Sequence, residues 1–175
     1  MAYDLSLGRL ESHKSFVGGL KAVYFINWGD ATGYTYDVTD TDEITAVAGT
    51  PSAYKYELKG ANTFTQNVVT SREAGTTYYE QVLELTFKGL TVKTNKELKI
   101  LAYGRPQVLV EDNNGNIFYA GLENGMDVTG GTVVTGGAMG DLNGYTLTLT
   151  GQEKVPANFL GATIIAAGFT VVEGT

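Results

Sequence analysis

The chain contains no cysteine, a single histidine, a single tryptophan and three prolines in 175 residues. Without cysteine there is no disulfide framework and no thiolate metal site, a composition that fits synthesis in a reducing cytoplasm. With His13 as the sole imidazole, and no H-E-x-x-H or G-x-S-x-G run, most metal and nucleophile arrangements are removed. Long hydrophobic runs are absent too: no stretch approaches the ~20 apolar residues of a membrane helix, so no membrane partner is expected. Residues 1–10 have no basic region followed by an apolar core, so no secretory signal is expected. Positive charge is scarce: 12 Lys and Arg stand against 19 Asp and Glu, for a net charge of −7. The basic residues are scattered singly, which argues against a dedicated nucleic-acid binder. An acidic surface can still work beside nucleic acid by repelling it, as a channel wall does.

Glycine and aromatics are what the chain has in quantity, with 23 Gly, 11 Tyr and 7 Phe. That balance suits strands with aromatic faces joined by tight turns. The fold class expected is mainly β, an antiparallel β-sandwich or rolled sheet with one short helix around residues 95–103. Two parts are expected: an N-terminal arm, 1–15, and a single β domain, 16–175, long enough to bury roughly two-thirds of its unfolded surface. The arm is polar and mixed and reads either as a frayed terminus or as a segment that orders against a neighbouring subunit.

Within the body, Leu20 to Asn27 is rich in strand formers and apolar on both faces, as a central strand covered on two sides would be. Trp28 at its end reads as a packing or rim aromatic, with a sugar-stacking platform as the functional alternative. Short strands follow at Tyr34 to Val38 and Ile44 to Ala48, around the acidic run Asp37 to Glu43. Four carboxylates in those seven residues suggest a hard-cation loop. The run lacks the glycine and distal Glu of an EF-hand loop, however, and reads better as a solvated acidic turn. Tyr54, Tyr56 and Leu58 alternate with Lys55, Glu57 and Lys59 as an amphipathic strand. Ala61 to Thr70 is polar on both faces, which fits a wet subunit interface, a lumen lining or an exposed edge strand. The Ser71 to Thr77 loop then reads as the tip of a long hairpin between Phe64 and Phe87.

Tyr78 to Lys88 carries Tyr79, Leu83, Leu85 and Phe87 on one side and Glu80, Glu84, Thr86 and Lys88 on the other, with Val82 the apolar exception. That period of two predicts a half-buried antiparallel strand. Thr94-Asn95-Lys96-Glu97 then reads as a capping box. Leu98, Leu101 and Ala102 share one helical face, Gly104 is expected to end the helix left-handed, and Pro106 forbids continuation. The helix should act as a lid on the β core, with Leu98 and Leu101 buried. Asp112-Asn113-Asn114-Gly115 is a strong hairpin signal. The glycine-rich segment from Gly121 to Gly144 lacks a phosphate-loop lysine and reads as short strands where another chain approaches closely. Tyr145 to Thr150 alternates Tyr145, Leu147 and Leu149 with threonines. Ala162 to Val172, apolar on both faces, is expected to be a buried or subunit-paired strand.

No constellation of catalytic groups is apparent. Glu80 and Glu84 would lie about 13 Å apart along a strand at ~3.3 Å per residue, too far for glycoside hydrolysis. No catalytic, cofactor-binding or metal-ligating residue is assigned, no cofactor is expected, and the expectation is a protein that is not an enzyme.

The order of strands, single capped helix and hairpins resembles virion proteins of tailed bacteriophages. The similarity is to the tail-tube and neck-ring group, including those of phages that infect Bacteroidetes. The residues that carry it are Gln66-Asn67-Val68-Val69, Gly75 to Gln81, Glu111-Asp112-Asn113-Asn114-Gly115 and Asp141-Leu142-Asn143-Gly144-Tyr145, followed by Thr-Leu-Thr-Leu-Thr-Gly-Gln-Glu. It spans roughly Gly60 to Leu160. The resemblance implies a virion component, assembled with itself into six-fold or twelve-fold rings alongside other virion proteins. Double-stranded DNA would pass through the ring without specific binding. It further implies that the arm, the Ser71 to Thr77 loop and the C-terminal strand lie between subunits or rings. This sequence departs from the pattern in having no charge concentrated on any one strand. A carbohydrate-binding or adhesin-type β-sandwich is the alternative, prompted by Trp28, the tyrosines and Asp37 to Glu43. A small-ligand β-barrel is a third.

Overall fold

The computed structural model describes residues 3–175, so the first two residues of the expected arm lie outside it. Twelve strands and one helix follow in the order β1 Leu20–Ile26, β2 Gly33–Tyr36, β3 Glu43–Ala48, β4 Ser52–Glu57, β5 Thr63–Ser71 and β6 Thr76–Lys88. Then come α1 Val92–Tyr103, β7 Gln107–Asp112, β8 Ile117–Ala120, β9 Asp127–Val134, β10 Gly144–Glu153, β11 Asn158–Leu160 and β12 Thr170–Val172. They form an eight-stranded sheet, β12-β4-β1-β7-β8-β11-β3-β2, and a four-stranded sheet, β5-β6-β10-β9. The architecture is the expected sandwich with one helix, and the larger sheet is also rolled. Pairing is antiparallel except for two short parallel pairs, β11 with β3 and β12 with β4.

Between the sheets lies one core, in which Val23, Phe25, Val108 and Val110 face Leu83, Leu85, Leu147 and Leu149. The alternation of β6 and β10 sets this up, since each strand turns every second residue inward. β1 is apolar on both faces because it serves two cores, as its composition predicted. Leu20, Val23 and Phe25 enter the first, while Ala22, Tyr24 and Ile26 enter a second inside the roll. An irregularity in pairing between Leu20 and Ala22 sends these two neighbours-but-one to opposite sides.

The roll is closed by polar as well as apolar contacts. Tyr34 of β2 folds back so that its ring meets Tyr119 of β8 at 5.6 Å, edge to face. Gln107, 4 % exposed, donates from Nε2 to the Tyr34 hydroxyl and to the Leu122 carbonyl, and its Oε1 accepts from the Tyr119 hydroxyl. Burial raises the Tyr119 pKa, so the hydroxyl stays neutral and serves as donor. Ala162 to Val172 departs from the expected single strand. Thr163 to Gly168 turns on itself, with the Ala167 N–H bonding the Thr163 carbonyl, and only Thr170–Val172 is a strand. This segment plugs the roll: Ile164, Ala167 and Phe169 are buried in the second core, and the Ala167 carbonyl accepts from Val47 N–H of β3.

The helix begins earlier than 95, and its cap is different. Thr91 is the N-cap, its hydroxyl oxygen accepting the Thr94 N–H at 3.1 Å and its hydroxyl paired with that of Thr94 at 2.8 Å. Thr94 therefore already lies in the first turn, and the Thr94–Glu97 capping box does not form. Gly104 ends the helix extended (φ −88°, ψ 178°) rather than left-handed, its N–H bonding the Leu101 carbonyl. The stop comes from Pro106, which bars helical geometry from Arg105. Leu98 is buried as expected of a lid, Leu101 is half-buried against the first core, and Ala102 is exposed.

Candidate functional site: the open sheet face and its edges

The four-stranded sheet has one face in the core and one in water. Register assembles that outer face from residues distant in sequence: Thr148 lies opposite Glu84, Thr150 opposite Val82, and Gln152 opposite Glu80. On the flanks Asn67 pairs with Glu80, Thr65 with Val82, and Asp127 with Thr150. The result is a surface of hydroxyl, amide and carboxylate groups. Glu80, Glu84 and Asp127 outnumber Lys88, so the face is acidic as well as polar. Individual strands show no concentration of charge, and only the register brings these groups together. Hydroxyls are tied across the strands, Thr132 to Thr146 and Thr63 to Glu84.

Both edges of this sheet are unpaired: β5 bonds only to β6, and β9 only to β10. β5 confirms the edge-strand reading of residues 61–70. Its nine residues carry no charge and no proline, the two commonest devices against strand addition at an edge. The hairpin between β5 and β6 runs in unbroken register from Thr63–Glu84 to Ser71–Thr76, so the loop at 72–75 is the tip of a long hairpin, as expected. β10 pairs with β6 only as far as Tyr79, which leaves the Val69–Tyr78 end of the hairpin two-stranded. The close approach expected of the glycine-rich segment is made by the same chain. A side chain at Gly131 in β9 would place its Cβ 2.6 Å from the Thr146 carbonyl oxygen of β10.

Residues 3–19 precede the first strand. Tyr3, Leu5, Leu7 and Leu10 are each at least 90 % exposed. His13 is exposed there as well. The arm's root is pinned by the β7–β8 turn. Asn114 accepts the Val17 N–H through Oδ1 at 3.0 Å and donates to the Val17 carbonyl at 2.7 Å, while Asn113 donates to the Gly18 carbonyl. Asp112 shapes that turn by accepting the N–H groups of Asn114 and Asn116. Burial alone would raise the Asp112 pKa. Hydrogen bonds from the Asn116 side chain and backbone, and from Asn114, outweigh it and hold the carboxyl below the usual range.

The other sequence candidates fare differently. Trp28 is half-exposed at most, with the Arg105 guanidinium 3.9 Å over its ring, so that face is not free to stack a sugar. Asp37 in the acidic run accepts the N–H groups of Thr39 and Asp40, which holds its pKa low and makes a solvated turn. Among the described residues no group of three His, Asp or Glu side chains comes together as a metal site. The larger cavities, about 480 and 740 Å³, are grooves between α1 and β4 that share Tyr54, Tyr56 and Glu97. Glu153 is buried on the inward row of β10, at the strand's end, its carboxylate accepting from Glu123 and Asn124 N–H; desolvation nonetheless raises its pKa.

The chain matches no protein-family model, and no curated protein or solved structure matches it significantly.

Proposed function

We propose that this chain is a non-enzymatic structural subunit of a tailed-phage virion, of the tail-tube or neck-ring kind, which assembles into rings around a DNA conduit. The observation that carries the reading is the four-stranded sheet: two open edges, one sealed face, and one ordered acidic face. A contact between an open edge of one subunit and a different part of an identical one is head-to-tail, and such contacts close into rings when the rotation permits. The sheet's polar face would then line the lumen. Its carboxylates repel phosphate, so DNA passes without adhering. The resemblance of residues 60–160 to the tail-tube and neck-ring group supports the same reading. Negative-stain images of the concentrated full chain test it: annuli with an open centre are expected, and a uniform field of monomers would overturn it.

A further inference from the structure

Two features of this chain are each incomplete and match one another. The first is residues 3–10, in which Tyr3, Leu5 and Leu7 alternate with Asp4, Ser6 and Gly8. A period of two with apolar residues on one side is the pattern of a strand with one buried face, yet these side chains stand in solvent. The second is the outer edge of β5. Its inward row, Phe64, Gln66 and Val68, is flanked by aromatic surface of the rolled sheet that the smaller sheet does not reach across. Phe64 meets Phe118 at 5.9 Å, Phe118 meets Phe159 at 4.8 Å, and Phe159 is 45 % exposed. A fifth strand beside β5 would cover that shelf with its inward side chains and leave its other face in water.

We infer that residues 3–10 of a second copy of this chain add to β5 as that strand, with Tyr3, Leu5 and Leu7 facing Phe118 and Phe159. The inference rests on the ring reading and names the segment that completes one seam. Strand addition of this kind takes its affinity from backbone hydrogen bonds and its specificity from alternate side chains, and both are provided here. Charge permits it as well. Residues 3–10 carry one Asp and one Arg, and β5 carries neither sign, so the contact avoids the repulsion expected between bodies of net charge −7. The second copy is favoured over the arm's own body. Val17 to Leu20 and Thr63 to Gln66 border the same groove, which places β5 near the arm's root, and the ring reading supplies neighbouring copies at that edge.

The absence of cysteine makes the test direct. The double variant Leu5→Cys, Val68→Cys is oxidised and run without reductant, beside a chain lacking residues 3–10. Covalent multimers of the 18.7 kDa unit are expected. The truncated chain should need at least tenfold more protein to associate, with its thermal midpoint unchanged at concentrations where both chains are monomeric, because in the monomer the arm packs against nothing. A cross-linked monomer, showing the arm on its own β5, would overturn the inference. So would the absence of any cross-link, or a truncated chain that assembles as the full chain does. Rings from the truncated chain would remove arm docking and leave the ring standing. Covalent dimers that never close would support arm docking and remove the ring.

Discussion

The two sheets of this protein solve the same problem in opposite ways. The eight-stranded sheet consumes its own surfaces. It rolls so that β1 and β7 are buried on both faces, folds Tyr34 over Tyr119, and plugs the remaining gap with Ile164, Ala167 and Phe169. The four-stranded sheet buries one face only, keeps a polar face in water, and leaves β5 and β9 open. The end strands β12 and β2 of the larger sheet are unpaired as well, so the difference lies in the faces: the larger sheet covers most of its surface within the chain, and the smaller one leaves a whole face in water. Stability should therefore reside in the roll and the inter-sheet core, and association in the smaller sheet.

That division can be broken from either side. The largest effect is expected in the closed region: Leu109→Ala, at a fully buried position in the roll, should destabilise the fold by about 2–5 kcal/mol in urea unfolding. Next is Gln107→Leu. It strips the buried Tyr119 hydroxyl, the half-buried Tyr34 hydroxyl and the Leu122 carbonyl of a shared partner and should cost about 1–3 kcal/mol. Asp112→Ala, which undoes the turn holding the arm's root, should cost about 1 kcal/mol at neutral pH, by analogy with a lost cap. Its effect should depend on pH. The folded pKa lies below the unfolded value of about 3.9, so the stabilisation is complete above that value and is lost as pH falls through the folded pKa. Wild type and variant should converge in acid. Glu153 has the opposite sign: its folded pKa is raised, so its contribution falls as pH rises from about 4.3 through the folded pKa and is flat above. The smallest effect on stability, within about 0.5 kcal/mol, is expected for Val68→Lys on the open edge, since the side chain is 61 % exposed. That same variant should have the largest effect on association, because a lysine on an edge strand opposes strand addition.

How legible these regions were in the sequence follows from the same division. The strands of the smaller sheet announce themselves, because one face buried and one wet produces the clean alternation of Tyr78 to Lys88 and Tyr145 to Thr150. The two-sided burial of β1 was also readable, as an apolar run without alternation. The plug was not. Thr163 to Gly168 is buried piecemeal on a turn, and an apolar run of that length reads the same whether it is a strand or a turn pressed into a core. The parallel pairs β11–β3 and β12–β4 join segments more than a hundred residues apart and leave no local signal. At the helix, Thr94 reads as the cap in the sequence, but Thr91, one turn earlier, takes that place. An exposed, β-branched Val92 then stands in the first turn, a position that carries no helix signal of its own. The acidic outer face was hidden for a further reason: Glu80, Glu84 and Asp127 are brought onto one surface by register, which no single stretch encodes.

If the open β5 edge of the four-stranded sheet joins identical subunits, a charge placed on that edge should prevent assembly. Native mass spectrometry of the concentrated full chain, beside Val68→Lys, tests it most directly. One closed species at an integer multiple of 18.7 kDa is expected for the full chain and monomer for the variant, with both folded alike. A full chain that is monomeric at every concentration, or a variant that assembles as the wild type does, would contradict it.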